Sequence, residues 1–169
     1  MKQQGMKNRA RILFVTEAAL IAALYTVLTV FVGAFGLANG AIQFRVSEAL
    51  CVLPFFTPAA IPGLTVGCLL SNLLTSCIWQ DVLFGTLATL LGAIGARMLR
   101  RFPWLVPIPT VAANTVIVPF VLAYAYRFEG GVGFFMLTVG AGEVLSAYVC
   151  GMLLLWALRP HARVLFRGL

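Results

Sequence analysis

The sequence is short of charge, and that shortage excludes whole classes of function. Of its 169 residues only 10% are Asp, Glu, Lys or Arg, against about 25% in a soluble domain. Lysine occurs twice, as Lys2 and Lys7, so no GxxxxGK loop exists to cradle a nucleotide phosphate. The chain does not hydrolyse ATP by that route. The lone histidine, His161, lies among basic residues, which leaves no HExxH, no metal-ligand cluster and no Ser–His–Asp constellation. Cys51, Cys68, Cys77 and Cys150 lie inside apolar runs without CxxC spacing and read as small buried hydrophobes. No cofactor, no metal and no enzymatic activity are expected.

Apolar residues dominate instead. They make up 62% of the chain, and the mean hydropathy is +1.01. Helices apolar on every side must be buried in protein or lipid, and a chain of this length has too little interior to hide them. In lipid, backbone polar groups are satisfied only in helices or closed barrels. The long, unalternating runs favour helices, so the fold class is all-α integral membrane, a single transmembrane domain over 1–169. The first run, Ile12–Phe35, is too long for a signal-peptide core and is expected to be retained. Spans are expected at about 12–35, 46–57, 61–78, 82–99, 107–126 and 134–158.

The pair at 46–57 and 61–78 rests on charge parity. Basic clusters mark the cytoplasmic side. Lys2, Lys7, Arg9 and Arg11 form one cluster and Arg97, Arg100 and Arg101 a second. Placing both on one side requires an even number of crossings between them. The region 46–78 therefore supplies two, with a turn near Thr57–Gly63, where Thr-Pro and Pro-Gly cluster. Six crossings leave both termini cytoplasmic and put all twelve basic residues inside except Arg45 and Arg127. Arg159, Arg163 and Arg167, not used to set the parity, land on the same inner side. The net charge of +7 thus reflects the lipid bilayer and not nucleic acid.

Small residues recur at helical spacing: Ala18/Ala22 and Ala19/Ala23 in the first span, Gly63/Gly67 in the third, Ala88/Gly92/Ala96 in the fourth. Such stripes let helix backbones approach.

Ionisable and amide side chains at membrane depth are costly, and face a cavity or a partner. Glu143 lies about 15 Å below the outer end of its span, at about 1.5 Å per residue, and Asn114 falls at a similar depth. The two either line one pocket or bond helix neighbours. At the outer mouth, Gln43, Arg45, Ser47 and Glu48 form either a polar lid or a local cap, with Arg45 and Glu48 spaced i,i+3 to pair on one helix face. Trp79, Gln80 and Asp81 form a second polar edge on that side, or an aromatic anchor beside a turn. Asn72 points inward or bonds a neighbouring helix. Tyr148 and Tyr124 stack on a flat ligand or pack against the bundle. Glu17 is expected to pair with an arginine or a partner. Polar groups concentrate toward the outer half, which suits capture from outside.

The run Ile42–Leu50, IQFRVSEAL, with LPFFTPAAIPGL at 53–64, GCLLSNL at 67–73 and DVLFGTLAT at 81–89, resembles the signature of the QueT family. That family is similar to the substrate-binding S components of energy-coupling factor (ECF) transporters. The resemblance implies the six-transmembrane-helix S-component fold in the cell membrane. It implies uptake of a queuosine precursor, a 7-deazapurine such as queuine, preQ1 or preQ0. It also implies a transmembrane coupling protein and two cytoplasmic ATPases as partners, with Ala18, Ala22, Ala19 and Ala23 at the positions that contact the coupling protein. In this reading Glu143 accepts adjacent N–H donors of the base, and Asn114 or Gln43 reads its carbonyl edge. Asp81 or Glu48 offsets a cationic aminomethyl arm, and Trp79, Phe44 and Tyr148 are stacking candidates. The competing readings are an S component for another vitamin, a self-sufficient secondary carrier, and a membrane scaffold without a ligand.

Overall fold

The computed structural model describes residues 2–34, 45–127 and 130–166. Among them every regular element is helical and none is a strand. Helix α1 is Lys2–Ala34. Its 33 residues reach about 50 Å at about 1.5 Å per residue, beyond the roughly 30 Å of a bilayer's hydrocarbon. The excess is its polar start, where Lys7, Arg9 and Arg11 are exposed.

Among the described residues four stretches are long and apolar enough to cross a membrane: Lys7–Ala34, Trp79–Met98, Pro103–Ala125 and Val132–His161. They fall where the hydropathy places spans at 12–35, 82–99, 107–126 and 134–158. Between the first two lie two shorter apolar helices. One is a 3-10 segment, Val46–Phe55, and the other is α2, Ala60–Leu74. Then come α3, Trp79–Met98, a 3-10 turn at Pro103–Leu105, and α4, Ile108–Phe120, which widens into a π turn at Val121–Ala125. Helix α5, Val132–Glu143, passes through a second π turn, Val144–Cys150, into α6, Gly151–Leu158. A 3-10 turn, Arg159–His161, and the short α7, Ala162–Leu165, complete the described chain.

The 3-10 segment is the centre of the bundle. Every residue from Ser47 to Pro54 is buried, and the segment packs against α1, α3, α6 and the second π turn. A 3-10 run of ten residues is long for that class, which rarely exceeds about four residues. Its protein surroundings permit it, because irregular backbone is tolerated at membrane depth only where protein or a cavity surrounds it. Arg97 completes its last turn: one guanidinium nitrogen donates to the carbonyls of Pro54 at 3.0 Å and Phe55 at 3.4 Å, which no later helical N–H reaches.

The turn between the two short helices falls at Phe56–Ala59, and α2 begins at Ala60. Pro62 and Gly63 therefore lie inside α2, not in the turn the sequence suggested. Proline fits there because the first N–H groups of a helix have no partner to lose. Gly63 serves a close approach: a Cβ on it would meet the Ala18 carbonyl oxygen at 2.8 Å. One on Gly67 would meet the Tyr25 Cβ at 2.7 Å. The Ala18/Ala22 stripe of α1 thus packs on the Gly63/Gly67 stripe of α2. In α3, Ala88 and Ala96 are fully buried, and Gly92 and Gly95 leave room for Thr110 and Pro109 of α4. Leu20, Phe31, Leu74, Leu137 and Leu153 are exposed, while Glu48, Asn72, Asp81, Asn114 and Glu143 are buried. That inside-out distribution suits a lipid solvent.

Candidate functional site

Three carboxylates enter the bundle on three different elements, and each keeps different company. Asp81 stands in the first turn of α3, where the exposed N–H groups of the helix favour a negative charge. Its Oδ2 lies 3.9 Å from Arg45 Nη2 and accepts a 3.1 Å hydrogen bond from the Tyr126 hydroxyl. One carboxylate thereby ties the head of the 3-10 segment, the start of α3 and the end of α4. The i,i+3 spacing allows Arg45 to pair with Glu48. The ion pair among the described residues is with Asp81 instead, because the segment starts at Val46 and leaves Arg45 with extended backbone.

Glu48 turns the other way. Its Oε1 accepts the hydroxyl of Tyr25 from α1. One helical turn along α1, the Thr29 and Ser47 hydroxyls are hydrogen-bonded at 2.8 Å. At the opposite end of the segment Thr57 donates to Glu17 Oε2 at 2.8 Å and accepts the Ala59 N–H at 3.2 Å. Glu17 therefore pairs with a hydroxyl, not an arginine. Residues 17, 25 and 29 of α1 all grip the 3-10 segment or its exit.

Glu143 sits where α5 gives way to its π turn and is 6% exposed. Asn114 of α4, Glu48 and Arg45 are its polar neighbours. One oxygen, Oε2, is buried without a partner among the described residues. Such an atom costs about 1–3 kcal/mol or more unless a donor satisfies it. The π turn begins at the next residue, and Ser146 donates back to the Gly142 carbonyl at 2.8 Å, a bond that bends helices. Pro119, lacking an N–H, precedes the π turn of α4. Widened turns of this kind recur at functional sites, and here they occur in the two helices that carry Asn114 and Glu143.

The remaining candidates differ in where the structure places them. Asn72 is buried between α2 and α3, its amide 3.5 Å from the Asp81 carbonyl in space left by Gly85. Tyr148 is half-buried on the second π turn. Trp79 and Tyr124 are 68% and 72% exposed, so both rings face away from the buried carboxylates. Trp79 stands over an apolar surface groove of about 430 Å³ with Leu69, Leu73 and Leu83, in keeping with an interfacial anchor. Gln43 and Phe44 lie outside the described residues. Of the small residues on α1, Ala18 and Ala22 are turned to α2, while Ala19 and Ala23 are exposed.

Tyr25 and Tyr126 were not expected from the sequence. The available signal was a hydroxyl-bearing ring inside an apolar run, since a buried tyrosine needs a partner for its O–H.

Over 89 residues the chain is 42% identical to the "Queuosine precursor transporter QueT" of Lactococcus lactis subsp. cremoris (strain MG1363), a match covering 52% of each chain. The matched stretch thus spans about half the length of that relative. No solved structure matches. A model of the QueT transporter family matches residues 15–160, which take in all four long apolar stretches apart from the polar start of α1 and the last residue of the fourth, and the chain belongs to that family.

Proposed function

We propose that this chain is the substrate-capturing membrane subunit, the S component, of an ECF-type importer that takes a queuosine precursor from outside the cell. The observation that carries this reading is Glu143: a carboxylate buried in an apolar bundle, with Asn114 as a neighbour and with Oε2 unpartnered. A 7-deazaguanine presents adjacent ring and exocyclic N–H donors, which a carboxylate accepts as a pair. Asn114 has both a donor and an acceptor for the neighbouring carbonyl edge. Glu48 faces the substituent arm, since Asp81 is already engaged by Arg45 and Tyr126. The name of the Lactococcus relative supports the substrate class.

The proposed topology has six crossings in a single domain, with both termini cytoplasmic and the chain in the cell membrane. The contacts support it. Arg45, Asp81 and Tyr126, all assigned to outer ends of spans, meet at one end. Glu17 and Thr57, and Arg97 and Pro54, assigned to inner ends, meet at the other. A coupling protein docks on α1, where Ala19 and Ala23 remain free once Ala18 and Ala22 are used within the chain. Two ATPases supply the hydrolysis for which this sequence has no phosphate loop.

Vesicles separate this from a self-sufficient carrier. Vesicles holding the chain alone should bind a labelled deazaguanine and accumulate none, and co-reconstitution with coupling protein and ATPases should give ATP-dependent uptake. Accumulation by the chain alone would refute the proposal. Mass spectrometry of the co-purified ligand distinguishes a deazaguanine from another vitamin.

A further inference from the structure

We propose that Tyr25 is a positioning residue of this site: it aims the Glu48 carboxylate and so sets a preference for a ligand carrying a protonated amine arm. The proposal rests on the reading of Glu48 as a ligand residue. Tyr25 is 1% exposed and is among the largest fully buried side chains. A phenol has one hydrogen to give, and this one goes to Glu48 Oε1. Both carboxylate oxygens then remain acceptors, with the second free to face a donor.

The tyrosine is packed at both ends of its side chain. Gly67 stands against its Cβ, where a methyl added to the glycine would come within 2.7 Å, and the ring is buried in the core cluster that includes Leu64 and Cys68. One turn further on, Thr29 holds Ser47, so α1 fixes the Ser47–Glu48 pair at two adjacent points. Charge supplies the second half. Arg45 is the cation within 4.0 Å of a carboxylate among the described residues, and its partner is Asp81. Glu48 and Glu143 have no basic partner at that range. A buried carboxylate in that position is stabilised by a bound cation. An ammonium held by Glu48 supplies one, and an uncharged arm without a hydrogen to donate does not.

The test is calorimetric titration of the purified, folded protein with two probes, 7-aminomethyl-7-deazaguanine and its neutral 7-cyano counterpart. Tyr25→Phe keeps the ring and removes only the hydroxyl. It should weaken the aminomethyl probe about tenfold, the scale of one hydrogen bond to a charged group, and leave the cyano probe within about twofold. Tyr25→4-aminophenylalanine, which keeps a donor at the same reach, should keep the preference. Equal weakening of both probes, or no change in either, overturns the proposal; a merely structural role for Tyr25 would move both together. If Tyr25→Phe does not fold, loss of the preference in the 4-aminophenylalanine variant overturns the proposal and its retention supports it. Glu48→Gln separates the two levels. If it weakens the aminomethyl probe while Tyr25→Phe does not, only the role of Tyr25 falls. If Glu48→Gln changes neither affinity, or the unaltered protein binds neither probe, the ligand role of Glu48 falls and this inference with it.

Discussion

Glu48, Asp81 and Glu143 share a chemistry and differ in company, and the difference assigns their work. Asp81 has an arginine and a phenol and acts as a clasp between three elements. Glu48 has one phenol. Glu143 has an amide as a neighbour and an unpartnered oxygen. Removing a partner from a buried ion pair costs about 3–5 kcal/mol because the other charge stays behind. Asp81→Asn should therefore destabilise the protein by about 3 kcal/mol, read as a drop of roughly 10 °C in Tm in detergent. An unchanged melting temperature would show that the Arg45 pairing does not hold the end of the bundle together. Glu143→Gln keeps the shape and removes the charge, so its effect should fall on ligand affinity and leave the melting temperature of the empty protein unchanged or raised. At this scale the sequence revealed which polar residues lie at depth, but not their pairings. Residues 25 and 48, or 45 and 81, are brought together by the bundle, and no local periodicity encodes such contacts.

At the scale of elements, hydropathy alone located the four long stretches, because about twenty apolar residues in a row have few alternatives. Charge parity, not hydropathy, divided the run at 46–78 into helices at about 46–57 and 61–78, where the structure has Val46–Phe55 and Ala60–Leu74. Hydropathy did not show the 3-10 geometry or the two π turns, which arise from packing and from local bonds such as Ser146 to Gly142. Nor did it separate the two small-residue stripes of α1, which differ by a single residue in phase. Their faces make a paired prediction. Gly67→Ala, on the face joining α1 to α2, should cost about 1–3 kcal/mol of stability through overpacking against Tyr25. Ala19→Leu, on the exposed face, should leave the isolated protein's melting unchanged and weaken its co-purification with the coupling protein. A stable Gly67→Ala would deny the close approach, and full assembly of Ala19→Leu would deny the docking face.

For the whole molecule, the apolar exterior and the polar interior are two sides of one requirement. Leucine and phenylalanine face lipid, and the carboxylates and amides gather around the 3-10 segment, the element most completely surrounded by protein. The proposed orientation rests on the parity of the basic clusters, a bias that the membrane imposes on sequence directly. The family resemblance pointed to a class of ligand, and the residues proposed to recognise it come from α4, α5 and the 3-10 segment together. The most direct measurement is the affinity of a 7-deazaguanine for the purified protein and for Glu143→Gln. The account predicts that the substitution weakens binding at least about tenfold, the value of a charge-assisted hydrogen bond, with the fold intact by melting. Equal affinity in the two proteins would contradict it.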